Sequence, residues 1–204
     1  MDRGNRESEG ERAVTPRLVI VVSGKRKTGK DYLGSRLVDA IGESSALVHL
    51  SSPIKSHWAR THGLDLQALL GDGHYKERYR AEMVAWSEEV RRRDPGYFCR
   101  LATDSDACRE RPIWVVSDAR RPSDVSWFQH FFPGRVKTVR MHASDELRRH
   151  RGWTFVAGID DAETECALDS FPDWDLIVEN NETGGLEKGI ETIFTWVQHF
   201  LSDS

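Results

Sequence analysis

The stretch RLVIVVSGKRKTGKD, residues 17–31, decides the fold. Within Arg17 to Ser23, the residues Leu18 to Val22 form an unbroken apolar run rich in β-branched side chains. It does not alternate with polar residues. It therefore predicts a strand buried on both faces, as in a parallel sheet. Gly24 to Gly29 predicts a loop. From Lys30 onward, Tyr32, Leu33, Leu37, Val38 and Ile41 recur at helical spacing, and Gly42 ends the pattern.

Outward from this unit, the chain repeats the alternation. Ala46 to Leu50, Ile113 to Ser117, Val136 to Met141 and Leu176 to Val178 predict four more strands. Pro53 opens a mostly helical stretch to about Arg93, which Asp94-Pro95-Gly96 breaks. Tyr97 to about Ala107 predicts a further helix, and Leu186 to Leu201 an amphipathic one. Strands alternating with helices predict an α/β fold of three layers, with a parallel five-stranded sheet between helices. Residues 1–15 read as a disordered leader and 16–204 as one domain. Ser144 to Pro172 is polar, with arginines on one side and acids on the other, and is the segment expected to form a mobile lid.

The bulk composition excludes several classes. Thirty-three acidic residues outnumber 29 basic ones, for a net charge of −4. A duplex nucleic-acid binder would show the opposite balance. The cysteines are three, Cys99, Cys108 and Cys166, with no CxxC pair, so neither a disulfide framework nor a zinc site is expected. No apolar run reaches the roughly 18 residues that span a bilayer. The expectation is a cytosolic monomer that acts on small molecules, with no nucleic-acid or membrane partner.

Gly24-Lys25-Arg26-Lys27-Thr28-Gly29-Lys30-Asp31 matches GxxxxGK, with Asp31 where Ser or Thr is usual. A strand precedes it and a helix follows, which is the context of a phosphate-binding loop. The glycines allow a tight turn, so that successive N–H groups converge on phosphate oxygens. The helix N-terminus adds partial positive charge. Lys30 would reach the β- and γ-phosphates of ATP. Asp31 could ligate Mg²⁺ directly or through water, because Mg²⁺ prefers oxygen. Asp118, at the carboxyl end of the third strand, stands where such enzymes hold Mg²⁺ or its water shell. A helix N-cap is the other role open to it.

Basic residues cluster despite the acidic balance. Lys25, Arg26 and Lys27 lie in the loop, and Arg120 and Arg121 follow Asp118. Lys76, Arg78 and Arg80 share one stretch, Arg91 to Arg93 another, and Arg148, Arg149 and Arg151 the expected lid. A hydroxyl acceptor calls for a general base. A phosphate monoester, with a second pKa near 6, is already largely dianionic and calls instead for cations. An Arg- and Lys-rich site without an obvious base fits the second case.

With these residues in view, the chain resembles animal-type phosphomevalonate kinases from about Arg17 onward. The stretches that carry the resemblance are GKRKTGKD, HYKERYR, DPGYFCR, PIWVVSDARR, RGW.F..G.DDAE.EC.LD and D.DLIVEN. It implies a nucleoside-monophosphate-kinase-like fold and the conversion of ATP and 5-phosphomevalonate to ADP and 5-diphosphomevalonate, with Mg²⁺. It also implies roles. Lys25, Arg26, Lys27 and Lys30 match the family's basic phosphate-loop residues, within an ATP-binding loop that includes Gly24, Thr28, Gly29 and Asp31. Lys76, Arg80, Arg91, Arg120 and Arg121 match substrate-side cations. Arg148 and Arg151 match the lid, with Arg151 on ATP. Asn180 would lie near the substrate and Asn181 near the nucleotide.

Other readings stay open at this point. A kinase of the same fold could act on a nucleoside monophosphate. A nucleotide switch is a further class, although no guanine-reading NKxD occurs. Asp160, Asp161, Glu163 and Glu165 could form a plain solvated acidic face. Trp153 and Phe155 fit a core better than a stacking platform, and His57, His62, His74 and His142 show no metal-ligand spacing.

Overall fold

The computed structural model describes residues 15–71, 74–181 and 184–202. The expected leader, apart from Thr15, lies outside the described residues, as do the last two residues. Five strands form one sheet: β1 (Leu18–Gly24), β2 (Ser45–Val48), β3 (Ile113–Val116), β4 (Val136–His142) and β5 (Leu176–Glu179). All neighbours run parallel, in the order β2-β3-β1-β4-β5. The expected α/β architecture is the observed one. β1 is central, which is why its run carries no polar alternation: both faces are covered.

The helices are α1 (Lys30–Ile41), α2 (Ser52–His62), α3 (Leu66–Leu70), α4 (His74–Glu77), α5 (Arg80–Arg93), α6 (Tyr97–Thr103), α7 (Asp106–Glu110), α8 (Pro122–Phe131), α9 (Asp145–His150), α10 (Glu163–Cys166) and α11 (Gly185–Ser202). Leu18, Ile20 and Val22 of β1 face one layer, where Leu33 and Leu37 of α1 and Ile193 and Val197 of α11 close over them. Val19 and Val21 face the other layer, against Cys99, Val125 and Phe128 from α6 and α8. A smaller cluster of Trp58, Leu69 and Met83 binds α2, α3 and α5 into one unit beside the sheet. Fully burying one such aliphatic side chain contributes about 1.5–3 kcal/mol, so the two main layers dominate stability.

Boundaries moved where side chains captured the backbone. The second strand ends at Val48, not Leu50, because the amides of Leu50 and Ser51 turn to the Asp118 carboxylate. The single helix expected over 97–107 is split in two. Ser105 caps α7 by accepting from the Cys108 amide at 3.3 Å, and a capping serine starts a helix rather than continuing one. Cys99 and Cys108 are buried thiols and Cys166 is partly buried, all three unpaired. Among the described residues no helix is long and apolar enough to cross a membrane.

Candidate active site

β1 delivers the loop to the sheet's carboxyl edge. At Gly24 a Cβ would lie 2.6 Å from Thr28 Oγ1 and 2.9 Å from Met141, so only glycine lets the chain turn there. Thr28 Oγ1 donates to the Lys25 carbonyl at 2.9 Å and closes the turn. Lys27 (φ 63°) and Gly29 (φ 99°) are left-handed. Positive φ interleaved with negative φ is the geometry in which successive amides converge on an anion. No side chain caps the N-terminus of α1 at Gly29, which leaves its first amides for a ligand.

Lys30 opens α1 and is 6% exposed. Its Nζ lies 3.3 Å from Asp31 Oδ2. Burial, and next the charge of Arg120, push the Lys30 pKa below its ordinary value, while Asp31, Glu165 and Asp118 work the other way. The buried ammonium thus has one cation, Arg120, and three carboxylates around it.

The end of β3 builds the second side. Asp118 accepts from the Leu50 amide at 2.6 Å and the Ser51 amide at 3.1 Å. Burial opposes its charge, but His49 and the hydrogen bonds from Ser51 and Leu50 outweigh it and hold the carboxyl below its usual range. The N-cap of α8 is Arg121, so Asp118 is not that cap. Asp124, buried in the first turn of α8, accepts from the Arg120 and Arg121 amides at 3.0 and 3.1 Å. Its other oxygen meets Arg91 Nη2 at 3.4 Å. One buried carboxylate therefore sets three of the expected substrate-side arginines.

Between these elements and α5 lies a cleft of about 830 Å³. Lys30, Lys55, Lys76, Arg80, Arg91, Arg120 and Arg121 line it together with Asp31, Glu88 and Asp118. Ile54, Leu70, Met83, Val84 and Ile159 supply its apolar surface; the His49 imidazole also lines it, and no Phe, Tyr or Trp does among the described residues. Arg121 pairs with Glu88, and Arg80 Nε donates to Glu77 at 2.7 Å.

The remaining expected residues gather on the loop's other side. Arg148 donates through Nε to the Arg26 carbonyl at 2.8 Å and stacks 3.8 Å over the Trp153 ring. Arg151 Nη1 donates to the Lys27 and Thr28 carbonyls at 3.2 and 3.1 Å. Asn180 Nδ2 donates to the Thr28 carbonyl at 2.9 Å, and so lies on the phosphate loop rather than on the cleft lining. Asn181 Oδ1 accepts from the Ser144 amide at 2.6 Å. Lys25 Nζ meets Asp169 at 2.6 Å.

The solvated acidic face is corrected in part. Asp160 and Glu165 are each only 7% exposed. Asp160 accepts from the Arg26 guanidinium at 3.1 Å, Trp153 Nε1 at 2.9 Å and the Val156 amide at 2.8 Å. Glu165 accepts from the Arg26 amide at 3.2 Å and from Arg120. A carboxylate tolerates burial when paired and hydrogen-bonded, and these are. Trp153 is buried as expected, whereas Phe155 is exposed.

This geometry can be set beside known proteins. The family model described as phosphomevalonate kinase matches residues 22–134. The chain is 50% identical over 167 residues to the phosphomevalonate kinase of Drosophila melanogaster, covering 80% of this chain and 88% of that protein. The chain belongs to the phosphomevalonate kinase family. Two solved structures are among those it is similar to. A gluconokinase from Sinorhizobium meliloti 1021 is 19% identical, with 90% of this chain and 99% of that one covered and a TM-score of 0.43. A shikimate kinase from Acinetobacter baumannii in complex with shikimate is 13% identical, with 92% and 95% covered and a TM-score of 0.48.

In this phosphomevalonate kinase family member, sequence reasoning missed four site residues. Lys55 lines the cleft; burial first, then Lys76, lowers its pKa. Its signal was position, just past the carboxyl end of a strand, where α/β sheets bind ligands. Asp160 and Glu165 meet Arg26, and Asp124 meets Arg91, across more than thirty residues of sequence, which no local pattern announces; the bonds of Asp124 to the Arg120 and Arg121 amides are local.

Proposed function

We propose that this chain transfers the γ-phosphoryl group of ATP to the phosphate of 5-phosphomevalonate, giving ADP and 5-diphosphomevalonate. The observation that carries this reading is the cleft: seven cations and an aliphatic surface, with no Phe, Tyr or Trp among its described lining residues to stack a nucleobase. A small branched acid phosphate matches such a lining in charge and shape. Family membership supports it independently.

The mechanism follows from charge. ATP's phosphates lie in the loop from Gly24 to Asp31, on the amides at the start of α1. Lys30 follows the charge that develops on the transferring group. The acceptor phosphate brings its own negative charge, so no side chain needs to remove a proton. Arg120 and Lys55, which line the cleft with Lys30, offset the repulsion between two anions and hold them in line. Arg121, Arg91, Lys76 and Arg80 take the rest of the acceptor. Arg26, Lys27 and Lys25 complete the loop's charge, and Arg148, Arg151, Asn180 and Asn181 close its far side over the nucleotide.

Mg²⁺ fits this donor set through Asp31, whose carboxylate is exposed at the loop. Asp118 fits through the lone pairs its amide donors leave, directly or through water. When bound, the ion would neutralise charge on the β- and γ-phosphates.

ADP release with ATP and 5-phosphomevalonate, run against AMP, CMP, GMP and dTMP, tests the assignment. Turnover is expected with phosphomevalonate alone. Turnover with a nucleoside monophosphate in its place would transfer the chain to the other kinase class.

A further inference from the structure

We propose that Glu165 is a positioning residue for phosphoryl transfer: it fixes the Arg120 guanidinium toward the transferring phosphate by tying it to the phosphate loop at Arg26. This rests on the reading of the cleft given above, in which Arg120 stands beside Lys30.

The geometry separates two kinds of carboxylate around the site. Asp31 and Glu88 have side chains 69% and 31% exposed, and each pairs with one cation of the cleft. Such groups can swing into water when a phosphate takes their place. The Glu165 side chain is 3% exposed and holds two donors at once. One oxygen accepts from the Arg26 main-chain amide at 3.2 Å, and the other from Arg120 Nη1. Moving it would strand a loop amide without a partner, which is costly. It therefore does not yield to substrate; it sets the direction of the arginine that meets substrate.

Asp160 makes the anchor two-sided, because it grips the guanidinium of the same Arg26 whose amide Glu165 holds. The segment from Asp160 to Glu165, which runs into α10, is thus fastened to the loop through one residue's main chain and side chain together. A carboxylate is needed here for a reason beyond shape. Arg120 shares the region with Lys30 and Lys55, and without a fixed anion their mutual repulsion would turn it toward solvent. Lys30 is faced by Arg120 and Asp118 from the end of β3, by Asp31 from its own helix and by Glu165 from α10.

The test is a double-mutant cycle on the full chain. Glu165→Gln is expected to lower kcat about tenfold to a hundredfold, as a misplaced positioning group does. KM for both substrates should stay within about threefold, the mark of an interaction made in the transition state. In an Arg120→Gln background, Glu165→Gln should add little, because both changes remove the same interaction. Effects that multiply independently would overturn the proposal, as would a loss confined to KM. Glu165→Asp keeps the charge but is too short for both donors, and its expected intermediate loss keeps the test intact if the glutamine variant fails to fold. A readout independent of turnover separates this proposal from the assignment of the acceptor. Rotation about the Arg120 Cζ–Nη bonds, followed by NMR, should be slow in the native chain and fast in Glu165→Gln. Equal rotation in the two would overturn the positioning role whatever the acceptor proves to be. Failure of the native chain to use phosphomevalonate would sink the acceptor assignment and leave this readout standing.

Discussion

The phosphate loop at 23–31 and the acidic segment at 160–169 face each other across the same position, yet they are built on different principles. The loop works through its main chain: two glycines, a left-handed lysine and the free amides of α1. Its side chains then add charge. The segment works almost wholly through side chains, with Asp160, Glu165 and Asp169 reaching Arg26, Arg120, Lys25 and Arg140. In the proposed reading one supplies positive charge for phosphate, and the other supplies fixed negative charge that keeps those cations aimed. A cationic site without such partners would spread apart by its own repulsion.

Substitutions can break this comparison at each end. The largest effect is expected at the loop. Lys30→Met should lower kcat about a thousandfold, the upper range for a single donor to developing charge, with the fold retained by circular dichroism. Gly29→Ala comes next. The residue is at φ 99°, and its Cβ would lie 2.7 Å from Asn180 Nδ2. A strained backbone of this kind costs about 1–3 kcal/mol, read as a lower Tm and a raised KM for ATP. Arg151→Ala releases the Lys27 and Thr28 carbonyls and should raise KM for ATP or lower kcat; no change in either would remove it from the nucleotide site.

Within the acidic segment, depth should decide. Asp160→Asn puts an amide among three donors in a buried place and is expected to destabilise by about 1–3 kcal/mol in denaturant unfolding. Asp169→Asn, at a side chain 39% exposed, should cost less than about 1 kcal/mol. Equal losses at the two positions would show that burial does not set their roles.

Much of the fold was legible because it rests on local pattern. The run from Leu18 to Val22 reads as a covered strand, and GKRKTGK fixes its own turn through glycine and backbone amides. The acidic segment was not legible in the same way. Asp160 and Glu165 look like a solvated face because the residues that bury them, Arg26 and Arg120, lie far away in the chain. Lys55 was missed for a related reason. A lone lysine in a helix's first turn gains meaning only once β2 and β3 carry it to the cleft beside Lys76.

The pH dependence joins the two regions. Lys30 is depressed by burial and by Arg120, so its folded pKa lies below that of the unfolded chain. Sign follows directly: on raising pH, the free enzyme loses the Lys30 proton earlier than an ordinary lysine would. Bound phosphates favour the ammonium, so ATP binding at alkaline pH, where the depressed Lys30 has begun to lose its proton, should take up protons in calorimetry across buffers of different ionisation enthalpy.

The central claim is that the phosphoryl group lands on a phosphate, with cations and no base. Following the reaction of ATP and 5-phosphomevalonate by ³¹P NMR tests it directly. The account predicts that the acceptor's monoester signal disappears and two mutually coupled diphosphate-ester signals replace it as ADP forms. Persistence of that monoester signal beside a second, uncoupled monoester, or the absence of acceptor-dependent ADP, would contradict it.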